Sequence, residues 1–225
     1  MATISQPLPM RARLRPKLLV FVFVGLMMAY VLYHNERFLI NAADPAWAHY
    51  QPFRWWLLPH GLAGACALLL GPMQFSDRLR QRYLQLHRVV GYVYVAGAMV
   101  LAPLGAYIQY FEERMGGTRS FSIAAGADAA LLMLTTAIAL WFVLRGKIQQ
   151  HRQWMTRSYA VALIFLEVRV IGGLTGWDQS DKASETIVWM CLIFAYPVAD
   201  IILHWQDFRR SKPKVAKAHA AAARG

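Results

Sequence analysis

Three histidines stand where an apolar helix is about to begin, a placement suited to holding a flat cofactor between helices. His60 opens the run PHGLAGACALLLGPMQF, His87 lies in LHRVVGYVY, and His151 leads HRQWMTRSYA. Gly64 follows His60, and Gly91 follows His87, at one helical turn on the same face. The small-residue face continues through Ala67 and Gly71, and through Ala98 and Gly105. Such a stripe can take a planar macrocycle held by the imidazole. It can equally let two membrane helices approach backbone to backbone, and the glycines alone favour that packing use.

His87 and His151 make the sharper pair. Both precede helices that run in the same direction, so their imidazoles belong at matching depth. Two such histidines on separate helices can hold the iron of haem b in a bundle. Gly91 would lie beside the ring, and Arg88, Arg152 and Arg157 would suit its propionates. The competing reading makes both His-Arg dipeptides basic interfacial anchors. A metal site from His87, His151, Asp200 and His204 is chemically conceivable, but no tight ligand spacing supports it.

A second group is defined by the cost of charge inside a membrane. Asp128, Glu167, Arg169 and Asp200 all fall within apolar runs, and ionisable residues there are paired or functional. Counting the helical rise places Asp128, Glu167 and Arg169 in the same half as His60. Asp200 falls in the other half, with His204 one turn on. His60, Asp128, Glu167 and Arg169 are therefore expected to form a second polar site, able to handle protons or a quinone headgroup. A 100° step per residue puts His151, Met155, Ser158 and Arg169 on one stripe and turns Glu167 elsewhere. Depth makes Asp128 the expected partner of Arg169, and a purely structural ion pair is the alternative.

The elements that must position these residues are membrane spans. Hydrophobic residues make up 57% of the chain and charged residues only 16%, against about 25% in a soluble domain. Six apolar stretches are expected as helices: 17–33, 56–75, 87–110, 123–144, 154–174 and 186–204. The net charge of +12 does not point to nucleic acid, because the basic residues gather at alternate helix ends. Arg11, Arg13, Arg15 and Lys17 precede the first span, and Arg78, Arg80, Arg82 and Arg88 lie before the third. Arg145, Lys147, Arg152 and Arg157 lie before or at the start of the fifth, and Arg209, Arg210, Lys212, Lys214, Lys217 and Arg224 follow the sixth.

That alternation predicts an all-α polytopic membrane helix bundle with both termini cytoplasmic. The chain divides into a cytoplasmic N-tail (1–16), a six-helix membrane domain (17–205) and a basic tail (206–225). The tail is Lys- and Ala-rich and reads as disordered, near anionic lipid. Trp47, Tyr50, Phe53, Trp55 and Trp56 crowd one interface, and residues 41–53 are expected along that surface. The first span lacks a cleavage site after its apolar run and reads as a retained helix. Cys66 and Cys191 are buried hydrophobes rather than a disulfide framework. No nucleophile elbow or phosphate-binding loop is present, so a soluble-enzyme site is not expected.

Taken together, His60, LHRVVGYVY and HRQWMTRSYA resemble a bacterial membrane family catalogued as domain of unknown function 2306. The likeness covers residues 56–174, and HR-x-WM-x-RSY is its most specific element. It implies fold and a place in the bacterial inner membrane, but no established activity. LHRVVG and the His-initiated second helix are more distantly similar to the cytochrome b561 group, which typically binds two haems through four helix-borne histidines. The fourth helix here has no histidine, so this likeness implies one bis-histidine site at most, His87 with His151.

Two functions follow. One is a b-type cytochrome-like electron carrier, a possible oxidoreductase component, exchanging electrons with a quinone or a redox partner protein. The other is a haem-free protein for small-solute or proton transport, or for assembly of another membrane complex.

Overall fold

The computed structural model describes residues 16–39, 41 and 43–222; residues 1–15 of the expected N-tail lie outside them. All regular structure among the described residues is helical. Eight α-helices follow in order: α1 (Pro16–His34), α2 (Ala46–Tyr50), α3 (Arg54–Gln74), α4 (Asp77–Arg82), α5 (Leu84–Arg114), α6 (Arg119–Leu144), α7 (Ile148–Thr175) and α8 (Asp181–Ala222). Five of them are long and apolar enough to cross a membrane, those built on α3, α5, α6, α7 and the first part of α8. The sixth, α1, has 19 residues, about 28 Å of rise against a hydrocarbon core of about 30 Å. The chain is a polytopic helical membrane protein.

Short connections force sequential helices to pack as antiparallel neighbours. Thus α3 lies along α5, α5 along α6, α6 along α7 and α7 along α8. Helix α7 also touches α1 and α3, which makes it the centre of the bundle. Its burial agrees: Met155, Ser158, Tyr159, Val161, Ala162, Ile164, Leu166, Val168 and Gly172 are all inside. It ends at Gly176, whose φ of +72° is a left-handed cap that favours glycine.

The bundle is apolar outward and small or hydroxylic inward. Leu62, Leu144, Ile193 and Ile201 are exposed, as lipid-facing side chains should be. The α3–α5 seam runs on small residues, with Ala63, Gly64 and Ala67 of α3 and Gly97, Ala98 and Ala102 of α5 all buried. A Cβ on Gly97 would come within 2.9 Å of the Ala63 carbonyl, so the two backbones touch. One on Gly71 would collide with the Tyr159 ring. The glycine stripe is thus used for helix packing.

Two segments differ from their sequence reading. Two short 3₁₀ turns, Arg37–Leu39 and Gln51–Phe53, flank α2, and aromatic side chains of both turn inward. Phe38 and Phe53 are 1% and 0% exposed, and Phe38 packs on both Trp47 and Tyr50. Helix α8 meanwhile continues through Ala222, along the stretch that composition assigns to a disordered tail. Alanine and lysine are strong helix formers, which is the physical basis for the continuation.

Candidate functional site

At the basic end of the bundle, α5 and α7 each bring a histidine in from their first turns. His87 is near enough to His151 to feel its charge, and the Arg80 guanidinium acts on it as well. Arg152 stands in the same relation to His151. The His151 Nδ1–H donates to the Ala139 carbonyl at 2.8 Å, which leaves Nε2 as the nitrogen with the lone pair. A backbone bond of this kind fixes the tautomer and ring plane of many metal-ligating histidines. The Nδ1 of His87 is buried without a hydrogen-bond partner.

Other expected members of this site have different employment. Gly91 is covered by Gln74, whose Oε1 would lie 3.3 Å from an added Cβ and whose amide donates to the His87 carbonyl. Arg157 is bound by Asp200, with Nε and an Nη at 2.8 and 2.7 Å from one carboxylate oxygen. It is also stacked against Trp154 and Tyr196. His204 donates to the Asp200 carbonyl of its own helix. The four-residue metal site is therefore not assembled, and no cluster of three or more metal-ligating side chains occurs among the described residues.

Two helical turns beyond His87 and His151 lies a layer that the sequence reading passed over. The Tyr94 hydroxyl meets Ser158 Oγ at 2.8 Å, and Ser158 Oγ meets Thr136 Oγ1 at 2.7 Å. All three residues are 0% exposed. Beside them the Tyr159 hydroxyl donates to the Leu68 carbonyl at 3.0 Å. The signal was available: Tyr94 and Ser158 repeat the faces of His87 and His151 after two turns.

At the opposite end, the expected second site divides into two clusters on either side of α7. Arg169 lies over the Phe165 ring, 5.0 Å from its centroid. Its guanidinium lies within electrostatic reach of the Tyr50 hydroxyl and of the Glu36 carboxylate. Burial pushes the Glu36 carboxyl above its ordinary range, and the guanidinium pulls it partly back. His60 borders this cluster: its Nδ1–H donates to the Leu101 carbonyl at 3.1 Å. Its ring packs edge-on to Phe165, in a notch that a Cβ on Gly105 would fill at 2.9 Å. Nearby, His49 Nε2 sits 2.9 and 3.0 Å from the two carboxylate oxygens of Glu112.

The other cluster holds Asp128 and Glu167, which lie within electrostatic reach of each other, with Cys191 within reach of both. The expected Asp128–Arg169 pair does not form: none of the ion pairs among the described residues joins them. Residues two apart on a helix project about 200° from each other, so Glu167 faces α6 and α8 while Arg169 faces α1, α2 and α3.

A family model described as "Predicted membrane protein (DUF2306)" matches residues 57–203, from α3 to the apolar part of α8. No curated protein and no solved structure matches the chain.

Proposed function

The chain belongs to the DUF2306 family of predicted membrane proteins, and from that premise we propose that it is a b-type cytochrome-like electron carrier. The single observation that supports the reading is that His87 and His151, from two helices, lie within electrostatic reach of each other at one end of the bundle. The donor set suits haem b: His151 Nε2 is unencumbered, and His87 has a buried nitrogen with nothing to bond. Bound there, haem would supply one-electron transfer. The chain's own part is to hold the two imidazoles, to fix the His151 tautomer through Ala139, and to place Arg152 where an anionic propionate would be held; Arg80 is bound to Asp77 at 2.6 Å. The electron partner is a quinone or a redox protein, and the basic end faces the cytoplasm of a bacterial inner membrane, as the charge distribution favours.

Purified protein expressed with adequate haem should show a Soret band and should bind about one haem per chain. His87→Ala and His151→Ala should each abolish it. His87→Met keeps a side chain capable of ligation and should instead raise the reduction potential. A folded, colourless protein that takes up no added haem would overturn the reading.

A further inference from the structure

The pair Asp128 and Glu167 is not used by the histidine site, and it stands deep in the opposite half of the bundle. Measured along their helices, Asp128 of α6, Glu167 of α7 and Cys191 of α8 all lie about 12–15 Å from the helix ends at Arg119, Thr175 and Asp181. The three helices pack against one another, so the three side chains converge at one depth. Asp128 Oδ1 is buried without a hydrogen-bond partner. Glu167 of α7 lies within electrostatic reach of it, and Cys191 of α8 within reach of both. Helix α5 carries no charged residue between positions 102 and 108, the part at this depth. The nearest cation along α7, Arg169, is turned toward Glu36 and Tyr50.

Two carboxylates within electrostatic reach of each other in a low-dielectric interior cannot both remain ionised unless a cation stands between them. A buried carboxylate oxygen with no donor is the costliest form of such a group, whereas a carboxylic acid brings its own donor. We propose that Asp128 and Glu167 form a proton-binding site within the membrane, which takes up and releases a proton from the end of the bundle opposite the histidines. On uptake a proton from water at that end binds the ionised carboxylate of the pair, whose charge passes from minus one to zero, and on release the proton returns to water and the negative charge is restored. The Cys191 thiol lines the site as a neutral neighbour. Near the helix ends, Ser120 Oγ accepts from Trp189 Nε1 at 3.0 Å, marking a polar step between the pair and the surface.

A hydrophobic carbodiimide, dicyclohexylcarbodiimide, reacts with protonated carboxylic acids inside membranes and tests this in the intact protein. Membranes holding the full chain would be treated across a range of pH, and the modified residue located by peptide mass spectrometry. The expected result is modification of Asp128 or Glu167 that declines as pH rises, with no reaction there by a water-soluble carbodiimide. Glu167→Gln removes the facing charge and should move the pH midpoint of Asp128 modification, or of its carbonyl infrared band, down by about one unit or more. Absence of modification at both residues, indifference to pH, or an unmoved midpoint in Glu167→Gln would each overturn the proposal. A colourless preparation that is still modified at Asp128 or Glu167 would remove the haem reading and leave this one standing.

Discussion

Arg169 shows how much a single side chain depends on neighbours that are distant in sequence. Its charge acts on Glu36 from the connection after α1 and on Tyr50 from α2, and its flat face lies over Phe165. Arg169→Ala should therefore destabilise the protein by about 1–3 kcal/mol. Combined with Glu36→Gln it should be non-additive, while combined with Asp128→Asn it should be additive. Thermal unfolding in micelles measures both cycles. The effect should also depend on pH. Glu36 has its carboxyl pulled down by the guanidinium in the native protein, so loss of Arg169 raises it further. Below the titration range of Glu36 the pair contributes nothing; the gap between wild type and Arg169→Ala should widen as pH rises through the titration of Glu36. A gap that narrows with rising pH would contradict the assigned partner.

The elements were read well from the sequence because a membrane span announces itself. Long apolar runs needing internal backbone hydrogen bonds leave little choice but helix, and α5, α6 and α7 occur where the apolar stretches lie. Their edges extend by a few residues, since polar flanks such as residues 148–153 can continue a helix in water. The use of each glycine was less legible, because small residues serve cofactors and packing alike. The structure distinguishes them by what stands opposite. Gly97→Ala should cost about 1–3 kcal/mol, since its Cβ would lie 2.9 Å from the Ala63 carbonyl. Gly61→Ala meets nothing within 4 Å and should be neutral, or stabilising by up to about 1 kcal/mol through helix propensity. Equal losses from the two substitutions, measured by thermal unfolding, would refute the close α3–α5 contact.

For the whole molecule, antiparallel neighbours around a central α7 give a bundle with two chemically unlike ends. The histidine pair lies at the basic end, a buried hydroxyl layer of Tyr94, Ser158 and Thr136 lies further in, and the acid pair lies toward the other end. Reporter fusions in the connections before His87 and before His151 should report the same, cytoplasmic side. A fusion near Asp178 should report the opposite one. Connections before the two histidines on different sides would leave them no common site.

Composition, apolar run length and the spacing of basic residues were sufficient to establish the membrane class and the helix sequence, because these are properties of one helix against a bilayer. Azimuth was not. Which way Arg169, Glu167 and Gly71 point depends on how the helices rotate against one another, and on residues 36–53 folding back to offer Glu36 and Tyr50. Those contacts join residues far apart in the chain, so the tertiary packing alone chose Tyr50 over Asp128 and set Asp128 against Glu167.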